Sequence, residues 1–265
     1  MTGVQTCALP IFIVFFALHD AETVLTGFVL AGVLIVIAHG LFLYPDLTPD
    51  PGKDAGETNT AAVMNMDAMR AFQTPLIVSN ACIWLVMMAE RWALQYYGDP
   101  GDVGGYAAVY QLAFIPMLFV SNFLILLIEP ILYQMIAQNG KTASASQAGW
   151  INNYAAFGIV CFTLVIFLVL LIFYPIVGNL LLGAQFRSYS WLFPWLLLAG
   201  GCFAATVQLL LKLSLDLRTD LLAVLWGAAA VVALGGYMIG ACFWQLKGIL
   251  AAIVSVNILL FIFSL

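Results

Sequence analysis

The chain has 265 residues, 64% of them apolar and only 8% charged, whereas a soluble domain carries roughly 25% charged residues. So few charges cannot clothe a water-facing surface of this size, which excludes an ordinary soluble domain and makes lipid the solvent for most of the outside. The net charge of −5 comes with no basic run of the kind that binds nucleic acid.

The mean hydropathy of +1.07 leads to the same reading. In lipid every backbone N–H and C=O must be paired internally, which leaves helix bundles or closed barrels. The apolar stretches here run to about 20 residues or more without period-2 alternation, which is helix length for a hydrocarbon core about 30 Å thick. The expected class is an all-α integral membrane protein with about seven transmembrane helices plus a remnant.

Residues 1–11 stand apart. They have no basic n-region, so they make a poor signal peptide, and they resemble a translated sequencing-adapter read-through. Residues 12–18 are too short to span and read as the end of a helix. His19–Glu22 is a polar turn, and residues 23–44 form a first full span closed by Tyr44-Pro45.

Residues 45–70 are polar, broken by Pro45, Pro49, Pro51 and Gly52, and hold five of the 13 acids. This is the longest loop and the expected boundary between two lobes. Six spans follow, at about 71–97, 105–137, 150–174, 190–213, 220–243 and 247–265. Gly98–Asp102, Asn139-Gly140-Lys141 and Asp216–Asp220 mark turns between them. The connections are short, so sequence neighbours run antiparallel.

Lys and Arg set the orientation. With the 45–70 loop in the cytoplasm, that side holds Lys53, Arg70, Lys141, Lys212 and Arg218, against Arg91, Arg187 and Lys247 outside. Trp92, Tyr96 and Tyr97 then fall in the outer aromatic belt.

Polar residues inside spans are costly, so their placement is informative. At about 100° per residue, Gln73, Asn80, Trp84 and Arg91 fall on one narrow face of their helix. Gln111, Asn122, Glu129 and Tyr133 do the same on the next. A lipid-facing stripe is penalised, so both stripes are expected to face the bundle interior or a wet cavity. They serve either as helix–helix hydrogen bonds or as a cavity wall. Glu90 and Arg91, near the end of a span, otherwise simply mark the membrane interface. Pro130 beside Glu129 frees a carbonyl and makes a kink or a bend. Pro75, Pro116 and Pro194 also lie inside spans.

The five cysteines form no Cys-x-x-Cys pair, and His19 and His39 have no partners at ligand spacing, so no metal site is expected. The chain carries no phosphate-cradling glycine loop, no His-Glu-x-x-His and no Gly-x-Ser-x-Gly. No cofactor and no enzymatic activity are expected.

A family pattern emerges at residues 90–130. It reads Glu90-Arg91, a turn at Gly98, Val103-Gly104-Gly105-Tyr106, Tyr110-Gln111-Leu112 and then Pro130. This resembles the seventh and eighth helices of the polysaccharide flippases in the multidrug/oligosaccharidyl-lipid/polysaccharide (MATE-like) exporter superfamily. Leu182-Gly183-Ala184-Gln185-Phe186 is similar to a segment which that family places between its ninth and tenth helices. Glu90 stands where the family more often has Asp, and Glu129 where a small apolar residue is usual.

The resemblance implies two six-helix lobes, with residues 12–44 ending the first, 45–70 linking the lobes in the cytoplasm and 71–265 forming the second. It implies a multi-pass protein of the bacterial inner membrane that flips a lipid-linked oligosaccharide by alternating access. Membrane lipid and a coupling ion, H+ or Na+, are the other implied partners. Arg91, Gln73, Asn80, Gln111 and Asn122 would then serve the diphosphate-sugar head group, and Glu129 a cation. A multidrug or small-molecule cation antiporter shares this fold. A membrane-embedded glycan polymerase or acyltransferase is the alternative of another class, and it calls for a large outer loop or clustered catalytic residues.

Overall fold

The computed structural model describes the backbone of residues 66–139 and 141–265, and the side chains of 71–135 and 149–265. These residues belong to one compact unit, Met64–Leu265. The adapter-like start, the 12–18 remnant, the span at 23–44 and residues 45–65 of the expected loop lie outside the described residues.

Every regular element among the described residues is helical. Helix α1 runs Met66–Tyr97, α2 Pro100–Asn139 and α3 Lys141–Leu181. A 3-10 helix, Ala184–Leu192, leads into α4, Phe193–Leu215, and α5 covers Thr219–Ser264. Among the described residues, five helices are long and apolar enough to cross a membrane. Large apolar side chains such as Phe119, Leu126 and Ile172 stand exposed on their outer faces, a surface suited to lipid and not to water.

Boundaries differ from expectation in places. α1 starts at Met66 and not at 71, because Ala68, Met69 and Arg70 are good helix formers. α3 continues past 174 to Leu181, through Pro175. Pro194 lies inside the apolar stretch Ala184–Leu215, as expected. It lies in the first turn of α4, where its missing N–H costs nothing.

α5 has 46 residues, more than twice the ~20 a bilayer needs. It is broken at Gln245, whose φ of 49° and ψ of −128° leave the helical region. The chain folds back there, close to the expected division between 220–243 and 247–265. The two halves meet backbone to backbone, and a Cβ on Gly240 would press on the Gly248 carbonyl. Farther down, Gly236 faces Val256 and Ala252.

α4 is the buried centre of the unit, packed by α2, α3 and α5, while α1 packs mainly along α5. Small residues permit this: Gly200 lies on the backbone of Phe114, and Gly201 on the side chain of Thr163. Phe203 of α4 joins Phe114 of α2 at 5.9 Å and Trp226 of α5 at 5.6 Å between ring centroids.

Candidate functional site

α1 turns its Val86, Ala89, Ala93 and Leu94 face into the core. Glu90 shares that side and is 0% exposed. Tyr106 and Tyr110 on α2 and Tyr237 on α5 are buried as well. All three hydroxyls lie within electrostatic reach of the Glu90 carboxyl group. Both Glu90 carboxyl oxygens and all three hydroxyls lack hydrogen-bond partners among the described residues.

Arg91, the next residue on α1, is half-buried. Its Cζ sits 4.7 Å from the Tyr110 ring centroid, a cation–π arrangement. Nη1 makes a long 3.9 Å contact with Met88 Sδ, and Nε is buried without a partner among the described residues. Tyr110 is in turn stacked on Phe114 at 4.5 Å.

The chemistry of this cluster is specific. A carboxylate offers only acceptors, and a phenol both donates and accepts. Burying a carboxylate without partners is costly. Among the described residues no group of three His, Cys, Asp or Glu side chains gathers at one point.

The two predicted stripes lie elsewhere. Gln73, Asn80 and Trp84 on α1, and Gln111, Asn122 and Tyr133 on α2, are exposed, while Glu129 is half-buried. They do not face the interior of this unit, where α1 packs along α5 and α2 packs against α4 with Tyr106, Tyr110, Phe114 and Met117 among its buried residues. Asn80 Nδ2 donates to the Leu76 carbonyl at 2.9 Å, which lowers its cost in an apolar setting. Trp84 meets Trp92 edge-on at 5.5 Å. Pro130 is exposed in a helix that continues to Asn139.

The two motif segments do meet one another. Phe186 lies against Gly104, and the Tyr189 ring covers Gly105 so closely that a Cβ there would collide with it. Tyr189 then donates from its hydroxyl to Asp102 Oδ1 at 2.9 Å. Gly104-Gly105 thus seats the 3-10 segment on the start of α2. Tyr106 and Glu90 from the same motif share the buried cluster.

Sequence reasoning missed Tyr237 and the buried pair Asn152 and Gln208. Tyr237 stands alone in an apolar stretch, and Asn152 and Gln208 lie 56 residues apart on different helices. No family model, curated protein or solved structure matches this chain.

Proposed function

We propose that this chain carries the second lobe, and the end of the first, of a two-lobe MATE-like exporter in the bacterial inner membrane. It flips a lipid-linked oligosaccharide by alternating access, without covalent chemistry. The observation that carries this reading is the exposure of Gln73, Asn80, Gln111 and Asn122 on helices otherwise clad in apolar side chains. Carboxamides at such positions are penalised against lipid and fit the wall of a wet cavity that receives a polar head group. Arg91, half-buried at the end of the α1 stripe, supplies the cation for a diphosphate. The resemblance at residues 90–130 supports the same reading.

The test is glycan export by the full-length protein in cells that lack their own flippase. Arg91→Ala and Asn80→Ala should each lower surface glycan about tenfold, a loss of ~1.4 kcal/mol. Undiminished export at normal protein levels rejects the cavity assignment.

A second reading, a small-molecule cation antiporter of the same architecture, is favoured by one observation. Antiporters of that kind need an acid deep in the protein, and Glu90 is fully buried. Efflux of a cationic dye that is lost in Glu90→Gln, with glycan export unaffected, would select it.

A further inference from the structure

A second polar recess lies away from the Glu90 cluster. It measures about 270 Å³ and is lined by Tyr174 and Asn179 of α3 and by Arg187, Ser188, Ser190 and Trp191 of the 3-10 helix. No Asp or Glu lines it. The nearby acid Asp102 accepts a hydrogen bond from Tyr189, between Ser188 and Ser190 in the chain. The side chains present are rich in donors: a guanidinium, a carboxamide, the Ser188 hydroxyl, a phenol and an indole N–H.

The recess is built, not loose. Gly178 of α3 lies so close under Ser190 that a Cβ there would collide with the Ser190 hydroxyl. Ser190 Oγ donates to the Arg187 carbonyl at 2.6 Å, which fixes the turn that presents the guanidinium.

Its depth in the membrane follows from length. The apolar stretch Ala184–Leu215 has 32 residues, and the hydrocarbon core takes about 20. Lys212 and Arg218 are exposed around its far end. With Lys212 at the far interface, most of the surplus, about eight residues, lies at the Ala184 end, at the level of the lipid head groups. Trp191 and Tyr174 are the aromatic residues that favour this level.

We propose that this recess binds the phosphodiester of an anionic membrane lipid. Arg187 grips the phosphate oxygens, Asn179 and Ser188 donate to them, and Trp191 and Tyr174 flank the glycerol and first methylenes. By the Lys and Arg bias this is the outer leaflet. The proposal rests on membrane insertion alone and does not depend on the transported substrate.

The test is native mass spectrometry of the purified chain with equal amounts of phosphatidylglycerol and phosphatidylcholine. The wild type should retain phosphatidylglycerol preferentially. Arg187→Gln should reduce that preference at least about tenfold, Arg187→Lys should restore part of it, and Asn179→Leu should weaken it. Arg218→Gln, at the opposite end, should leave it unchanged. Arg187 is exposed, so these variants should keep the wild-type unfolding temperature. The proposal is overturned if Arg187→Gln keeps the preference, or if Arg218→Gln removes it equally. Displacement of the lipid by inorganic phosphate at the same concentration would also overturn it, since the site would then be one for a free anion.

Discussion

Gln208 of α4 and Asn152 of α3 form a reciprocal pair inside the apolar unit: Gln208 Nε2 donates to Asn152 Oδ1 at 2.8 Å, and Asn152 Nδ2 donates to the Gln208 carbonyl at 2.8 Å. Both residues are essentially unexposed. With lipid outside and aliphatic side chains inside, the hydrophobic effect does little to fix how far α3 slides along α4. Two directional hydrogen bonds do fix it. Gln208→Leu should therefore destabilise the protein by about 1–2 kcal/mol, because it leaves the Asn152 Oδ1 acceptor without a donor, while the Asn152 Nδ2 bond to the backbone carbonyl of residue 208 remains. The double variant Asn152→Leu/Gln208→Leu should cost less than the sum of the two single changes. Unfolding titrations in mixed detergent micelles measure both quantities.

Gly105 and Tyr189 give a second prediction. The Tyr189 ring occupies the space where any side chain at 105 would begin. Gly105→Val should displace the ring, break the hydrogen bond to Asp102 and free the 3-10 segment from α2. Hydrogen exchange over residues 184–192 should rise steeply, while the amides of α4 stay protected. Tyr189→Phe keeps the packing and loses only the hydrogen bond, so it should cost only about 0.5–1.5 kcal/mol.

The reversal at Gln245 predicts an asymmetry between substitutions. Its positive φ is uncommon for a residue with a side chain and costs about 1–3 kcal/mol. Gln245→Gly should be neutral or stabilising by up to about 1 kcal/mol, whereas the β-branched Gln245→Val should destabilise. Gly248→Leu should be worse than either, because it forces apart the backbones of the two halves of α5. Thermal unfolding in detergent ranks the three.

Glu90 should separate stability from activity. An unpartnered carboxyl group in the core is maintained against its desolvation cost. Glu90→Gln should leave the unfolding temperature unchanged or raise it, with a gain on the order of 1 kcal/mol, and on the antiporter reading proposed above it should abolish cation efflux by the full-length protein. On the same reading Tyr237→Phe should keep stability and weaken that efflux.

Membrane insertion, the helical class and the order of the spans after residue 70 were legible in the sequence. Length, hydropathy and breakers suffice for these, because an unpaired backbone in hydrocarbon is prohibitive. The turn at Gly98 and the reversal near residue 245 were visible for the same reason. Which side of each helix faces inward was not. In a soluble bundle the apolar stripe marks the core. Here lipid and core are equally apolar, and that signal vanishes. The rotation of α1 was decided by its packing on α5, a helix more than a hundred residues away. That packing turned the predicted stripe of Gln73 and Asn80 to the surface of the unit and buried Glu90 in a core that also holds Tyr106, Tyr110 and Tyr237. Long-range helix packing alone determined the buried site.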